Sequence, residues 1–117
     1  MNDVDRLFLL PTRVLDFTSE RARALSTNLA HASEPGYRRV DVDFGELLEA
    51  ARRGDVAKAK PHARIDADAP AGSNGNNVDF EREQVQIDKN SLLHELATFF
   101  VNAKLNALRA AIRGQGT

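Results

Sequence analysis

The sequence predicts a mainly α fold: long N- and C-terminal helices packing as an antiparallel-type coiled-coil hairpin, with a short extended segment, a short helix and a flexible linker between. Three observations carry this. Apolar residues near the N-terminus recur at alternating three- and four-residue spacing, and a long C-terminal stretch is apolar around most of a helical projection. The composition, 42% hydrophobic but only 6% aromatic with no Trp, calls for a core of Leu, Val and Ala, which suits packed helices better than a deep pocket. At 117 residues the chain is one structural unit, since a domain takes ~100 to 200 residues.

The first segment is 1–36. Leu15, Thr18, Ala22, Leu25, Leu29 and Ala32 follow the seam of a coiled coil, while Arg13, Asp16, Ser19, Glu20, Arg23, Ser26, Thr27 and His31 project to the far side. Thr12 is the expected N-cap, with Pro11 either starting this helix or kinking a longer one that begins near Asp3. Glu34-Pro35-Gly36 stops it.

In 37–54, Val40, Val42 and Phe44 alternate with Arg39, Asp41 and Asp43, an extended segment with one covered face. Asp43 and Glu46 resemble a capping box for a short helix through Leu47, Leu48 and Ala51 that ends at Gly54. Residues 55–77 shift to Ala, Lys, Asp, Gly, Asn and Pro, with Val56 and Ile65 the only large aliphatics, and read as a flexible linker.

The segment 78–114 is the strongest helical signal. Asn77 or Asp79 caps it, Asp79, Glu81 and Glu83 crowd its first turns, and Lys104, Arg109 and Arg113 precede Gly114, all matching the helix dipole. Val85, Leu92, Leu96, Phe99, Ala103 and Ala110 project onto one line, and Val101, Leu105, Leu108 and Ile112 onto the opposite one. Ser91, Glu95, Thr98, Asn102, Arg109 and Arg113 form a narrow polar wedge. The N-terminal helix can cover one apolar line; the second, Val101 to Ile112, is expected to lack a partner within the chain. Leaving such side chains in water forgoes ~1.5 to 3 kcal/mol each. The expected assembly face is therefore Leu92, Leu96, Phe99, Val101, Ala103, Leu105, Leu108 and Ile112, and the excess points to association with other subunits.

No catalytic constellation emerges. Sixteen Lys+Arg against 17 Asp+Glu leave no basic footprint for nucleic acid, and the absence of Cys removes disulfides, thiolate metal sites and a Cys nucleophile. His31, His62 and His94 lack ligand spacing and read as surface or capping residues. Asp41-Val42-Asp43 and Asp66-Ala67-Asp68 read as solvated edges, because a calcium loop from Asp66 would want Gly and Glu where Ala71 and Asn77 stand. Gly72 to Asn77 lacks the Lys-Ser/Thr of a phosphate loop and reads as a turn into a helix cap. The expectation is no enzyme, no catalytic or metal residues, no cofactor, no small-molecule substrate and no nucleic acid. The first residues carry Asp3 and Asp5 where a Sec signal needs positive charge.

Two blocks carry a resemblance. Asn28-Leu29-Ala30-His31-Ala32-Ser33-Glu34-Pro35-Gly36-Tyr37, with Arg21 seven residues before, and Gly75-Asn76-Asn77-Val78-Asp79-Phe80-Glu81-Arg82-Glu83, followed by Asn90 and Ala111-Ile112-Arg113-Gly114, resemble the signatures of the flagellar basal-body rod family. His31 and Glu34 stand where that family usually has Asn and Thr. The lack of an inserted domain is similar to the proximal rod members. The resemblance implies a structural component of the proximal rod, exported by the flagellar type III apparatus and polymerising through its terminal helices into the drive shaft. Its implied partners are copies of itself, other flagellar rod proteins, and MS-ring or export-gate adaptor proteins. It further implies that the C-terminal helix lies innermost, so that the polar wedge faces the export channel, and that Val4, Leu7 and Phe8 form an export element. A coiled-coil adaptor or export-chaperone hairpin is the alternative that the helices alone would allow.

Overall fold

A computed structural model describes residues 3–115 of the chain; Met1 and Asn2, part of the expected first segment, lie outside them. The elements in order are α1 (Asp3–Ala30), β1 (Val40–Val42), α2 (Gly45–Arg53), a 3-10 turn (Val56–Lys58), β2 (Ala63–Ile65) and α3 (Phe80–Gln115). The two long helices pack as the expected antiparallel hairpin, and the molecule is 68 Å along its longest axis.

α1 packs against α3 and, over the same stretch of its length, against a small lobe made of β1, α2 and the 3-10 turn. Phe17, Val42 and Leu47 are buried together in that lobe, with Val14, Phe44, Val56 and Ala59 packed around them. The Phe17 and Phe44 rings meet at 5.6 Å. On α1, Phe17 and Leu25 are fully covered, each contributing ~1.5 to 3 kcal/mol by leaving water. Leu25 belongs to the seam read from the sequence, and its neighbour Ala24 is buried beside it.

Two local expectations are revised. α1 is continuous from Asp3 through Pro11, so Thr12 is an interior residue and not the cap. Pro11 gives up one backbone hydrogen bond and instead lines an apolar groove with Val14, Leu93 and Ala97. α2 has Phe44 at its N-cap position without a side-chain cap; the Asp43 carboxylate accepts from the Gly45 N–H at 2.7 Å, so the expected box with Glu46 does not close. Gly54 ends α2 as expected, in the left-handed conformation at φ 78°.

The expected flexible linker, 55–77, carries the 3-10 turn and β2. β2 runs antiparallel to β1 in the register Val40↔Ile65, Asp41↔Arg64, Val42↔Ala63. All three β2 residues are exposed, so the strand is held by backbone pairing and by side chains from elsewhere. α3 starts where the dipole and cap residues placed it: the Asp79 carboxylate accepts from the Glu81 and Arg82 N–H groups at 3.0 and 3.2 Å.

Candidate functional site

The two signature blocks, nearly forty residues apart in sequence, meet at one end of the hairpin. After α1, Gly36 turns the chain at φ 76°, and Gly75 does the same at φ 80°, a conformation that side chains with a Cβ resist. A Cβ on Gly75 would stand 3.5 Å from the Gly36 Cα, so the two turns touch backbone to backbone. The Gly36 N–H donates to Asn74 O at 2.9 Å, and the Asn77 N–H to Tyr37 O at 3.3 Å.

Asn76 and Asn77 then act as amide clips. Asn76 Nδ2 donates to the carbonyls of His31, Ala32 and Glu34 at 2.9, 3.2 and 2.7 Å, adding to the turn hydrogen bonds that His31 O and Glu34 O accept after α1 ends. Its Oδ1 accepts from the Val78 N–H. Asn77 Oδ1 accepts from the Arg39 N–H at 2.6 Å while its Nδ2 donates to Asp66 O at 2.8 Å. These two amides order the stretch that composition marked as loose.

Asn28, fully buried on the last turns of α1, replaces a strand partner for β1. Its Nδ2 donates to Val40 O at 2.7 Å and its Oδ1 accepts from the Val40 N–H at 2.8 Å and the Tyr37 hydroxyl at 3.1 Å. The Tyr37 ring also stacks on His31 at 4.8 Å, and the His31 Nδ1–H donates to Thr27 O at 2.8 Å, which completes the end of α1. The remaining signature residues frame this turn: Leu29 and Ala32 are half-buried, Ala30 and Pro35 exposed.

Beneath the amides lies an ionic network. Glu83 on α3, 1% exposed, receives Arg39 Nε on one oxygen and Arg39 Nη2 and Asn28 Nδ2, each at 3.3 Å, on the other. Arg39 Nη1 reaches Asp66 at 2.6 Å and Nη2 reaches Asp41 at 3.1 Å. Arg21 grips Asp41 with Nε and Nη2 and donates to Gln86 Oε1 at 2.7 Å. Asp41 and Asp66 are therefore half-buried ligands of arginine, not the solvated edges expected, whereas Asp43 and Asp68 are exposed. Burial by itself pushes the Asp41 carboxyl up, but hydrogen bonds and charge from Arg21, with help from the Val42 N–H and Arg39, outweigh it and hold its pKa below the ordinary carboxylate value. Burial pulls the Arg39 guanidinium down, yet Glu83, Asp66 and Asp41 more than compensate and its pKa is raised.

That shift has a measurable sign. A carboxylate whose pKa is lower folded than unfolded stabilises fully above its unfolded value, ~3.9, and loses the contribution as pH falls toward its folded value. Asp41→Asn should be less stable than the parent at pH 7, with the difference shrinking below about pH 4. Denaturant titrations of both proteins from pH 7 to pH 2.5 check this; a gap independent of pH would contradict it.

The clasp also fixes which side of α3 faces α1. Glu83, Asn90 and Ala97 are buried on that side, with His94 and Leu93 half-buried. Val101, Leu105 and Leu108, expected to lack a partner, are half-buried with them, while Leu92, Leu96 and Phe99 are 68%, 50% and 66% exposed. The expectation that Val101, Leu105 and Leu108 would lack a partner is therefore revised: they lie on the side of α3 that carries Glu83, Asn90 and Ala97, and the more exposed line is Leu92, Leu96 and Phe99. Val85 and Phe100 widen the open face, Ala103 continues it, and Ile112 is 61% exposed near the helix end. An apolar groove of about 310 Å³ between Leu10, Pro11, Val14, Leu96, Phe100 and the Lys104 stem adjoins it. The wedge residues Ser91, Glu95, Thr98, Asn102 and Arg109 are exposed. Val4 and Leu7 are about half exposed and Phe8 half-buried on the first turns of α1.

Sequence reasoning reached Asn28, Asn76, Asn77, Tyr37, Arg21 and Glu83, which the structure brings together, but missed Arg39, Asp41, Asp66 and Gln86. The short β-alternation in 39–43 puts Arg39 and Asp41 on the uncovered face, and Glu83 reads only as an acid suited to the start of the helix. Among the described residues no helix is long and apolar enough to cross a membrane, and no cluster of three or more His, Cys, Asp or Glu is placed to hold a metal ion.

No family model matches the chain. It is similar to the flagellar basal body rod protein FlgB of Aeromonas hydrophila, 29% identical over 126 aligned positions that cover 95% of this chain and 96% of the relative. It is 30% identical to that of Aquifex aeolicus over 123 positions, covering 97% and 98%, and 32% identical to that of Cereibacter sphaeroides over 108 positions, covering 81% and 84%. With relatives 30% and 32% identical aligned over 97% and 81% of its length, the chain belongs to the FlgB family of flagellar basal body rod proteins.

Proposed function

We propose that the chain is a structural subunit of the proximal rod, exported by the flagellar type III apparatus and polymerised through its terminal helices. The observation that carries this is the open face of α3. Leu92, Leu96, Phe99 and Phe100 each expose half or more of their surface, and contiguous apolar surface of this kind marks an interaction site. Covering it gains ~1.5 to 3 kcal/mol for each side chain fully buried. Its occupants in this reading are neighbouring copies and other rod proteins, with MS-ring or export-gate adaptor proteins at the basal end. The wedge Ser91, Glu95, Thr98, Asn102 and Arg109 lines the export channel, and Val4, Leu7 and Phe8 serve the export gate.

The test separates folding from assembly. Leu92→Asp, Leu96→Asp and Phe99→Asp together alter exposed positions, so the isolated chain should keep its helical circular dichroism, while incorporation into basal bodies and swimming in a complemented deletion strain are lost. Normal swimming by a folded variant would refute the assembly role. A discrete, fully ordered oligomer of the parent chain in dilute solution would favour the adaptor alternative. For export, Val4→Ala with Phe8→Ala should reduce secretion, and equal secretion with stability also unchanged would remove the export element.

A further inference from the structure

α3 offers α1 two lengthwise faces, and α1 occupies the one on which Glu83, Asn90 and His94 stand among Leu93, Ala97, Val101, Leu105 and Leu108. Val85, Leu92 and Phe99 each lie two positions beyond Glu83, Asn90 and Ala97, which turns them about 160° around the helix. Apolar area alone does not choose between them, since Leu92, Leu96 and Phe99 stay half or more exposed on the other face. The covered face differs in holding a polar layer. Asn90, 4% exposed, donates its Nδ2 to Thr18 O at 2.9 Å. Thr18, 1% exposed, shares a hydrogen bond of 2.7 Å between its hydroxyl and His94 Nδ1. Asn90 Oδ1 is buried without a hydrogen-bond partner among the described residues. A carbonyl left so lowers stability, and no apolar side chain at position 90 would carry that cost.

We propose that this layer, with Glu83 on Asn28, specifies the pairing: Thr18, Asn90 and His94 direct α1 to one face of α3 and thereby keep the apolar face free. Docked on the open face, α1 would keep Thr18 on Leu15 O and Asn28 on Val40 and Tyr37 but would lose the three hydrogen bonds to α3, from Asn90 to Thr18 O, between Thr18 and His94, and from Asn28 to Glu83. The loss of these bonds disfavours the other pairing by roughly 10- to 100-fold. A polar residue inside a helix seam sets register and partner in the same way in coiled coils. The inference stands whether or not the chain forms a rod, since it concerns pairing within one molecule.

The chain has no cysteine, so disulfide pairs report the face directly. Val14→Cys with Ala97→Cys joins two residues of one groove; Val14→Cys with Phe99→Cys reports the open face. In the dilute full-length parent, the first pair should oxidise and the second should not. In a Thr18→Val, Glu83→Gln, Asn90→Leu, His94→Leu background, the second product should rise at least about tenfold. Should that variant not fold, a transplanted code replaces it: Asn90→Leu and His94→Leu with Leu92→Asn and Leu96→His preserves composition and should shift the cross-link to position 99. Exclusive 14–97 cross-linking in whichever variant folds would overturn the proposal and leave connection geometry as the selector.

Discussion

Replacing Glu83 by alanine should lower the unfolding free energy by about 3 kcal/mol, measured by urea denaturation at pH 7. Removing one member of a buried ion pair costs ~3 to 5 kcal/mol because the partner stays buried and uncompensated. The lower end applies here, since Arg39 keeps Asp41 and Asp66 when Glu83 is gone. Asn28 also loses an acceptor. Glu83→Gln retains an oxygen for Arg39 but not the charge, so its loss should be smaller, and the two variants divide the effect between charge and hydrogen bonding. Because Glu83 is the first link between α3 and the end of α1, the loss should appear as earlier exchange of the amides around Tyr37 and Asn77, ahead of global unfolding. A change below about 1 kcal/mol for Glu83→Ala would mean that the network is decoration on a hairpin already held by its apolar contacts.

Asn28→Ala should be about as damaging, roughly 3 kcal/mol, for a different reason. Its amide answers the Val40 N–H and C=O, the Tyr37 hydroxyl and Glu83, and each buried group left unanswered costs ~1 to 3 kcal/mol, with some relief where water enters. Asn28→Asp is the sharper variant. It keeps the shape, still accepts from Val40 and Tyr37, but cannot donate to Val40 O and sets a second carboxylate about where the amide nitrogen sat, 3.3 Å from Glu83 Oε2. It should therefore be at least as unstable as Asn28→Ala at pH 7 and should recover part of the loss in acid, where a carboxylate can take a proton and donate again. Equal stability of Asn28→Asp and the parent at pH 7 would contradict the hydrogen-bond assignment.

Much of this was legible in the sequence, and the rest failed for identifiable reasons. α3 was readable because Asp79, its acidic first turns and Arg113 mark both ends, and α1 because Leu25 and its seam neighbours repeat cleanly. Gly54 and Gly36 announced their turns. The choice of face on α3 was not readable from hydropathy, since polar Glu83, Asn90 and His94 outcompete Leu92 and Phe99 only once Asn28 and Thr18 stand opposite them. β2 is three residues long and wholly exposed, so no alternation could reveal it. The stretch before α3 is ordered by Asn76 and Asn77, whose amides look like loop composition until their acceptors on α1 and β1 are in place. Arg39 and Asp66 belong to the same class: pairs formed across long sequence separation, invisible to any local window.

The central claim, that subunit contacts fill the face of α3 which α1 leaves open, is tested most directly by thiol labelling at that face. A single cysteine at Leu96 or Phe99, in a chain that otherwise has none, should react rapidly with a maleimide in the dilute protein. In purified basal bodies of a swimming strain it should be protected at least about tenfold. Equal labelling in both states would show that the face stays in water after assembly and would contradict the claim.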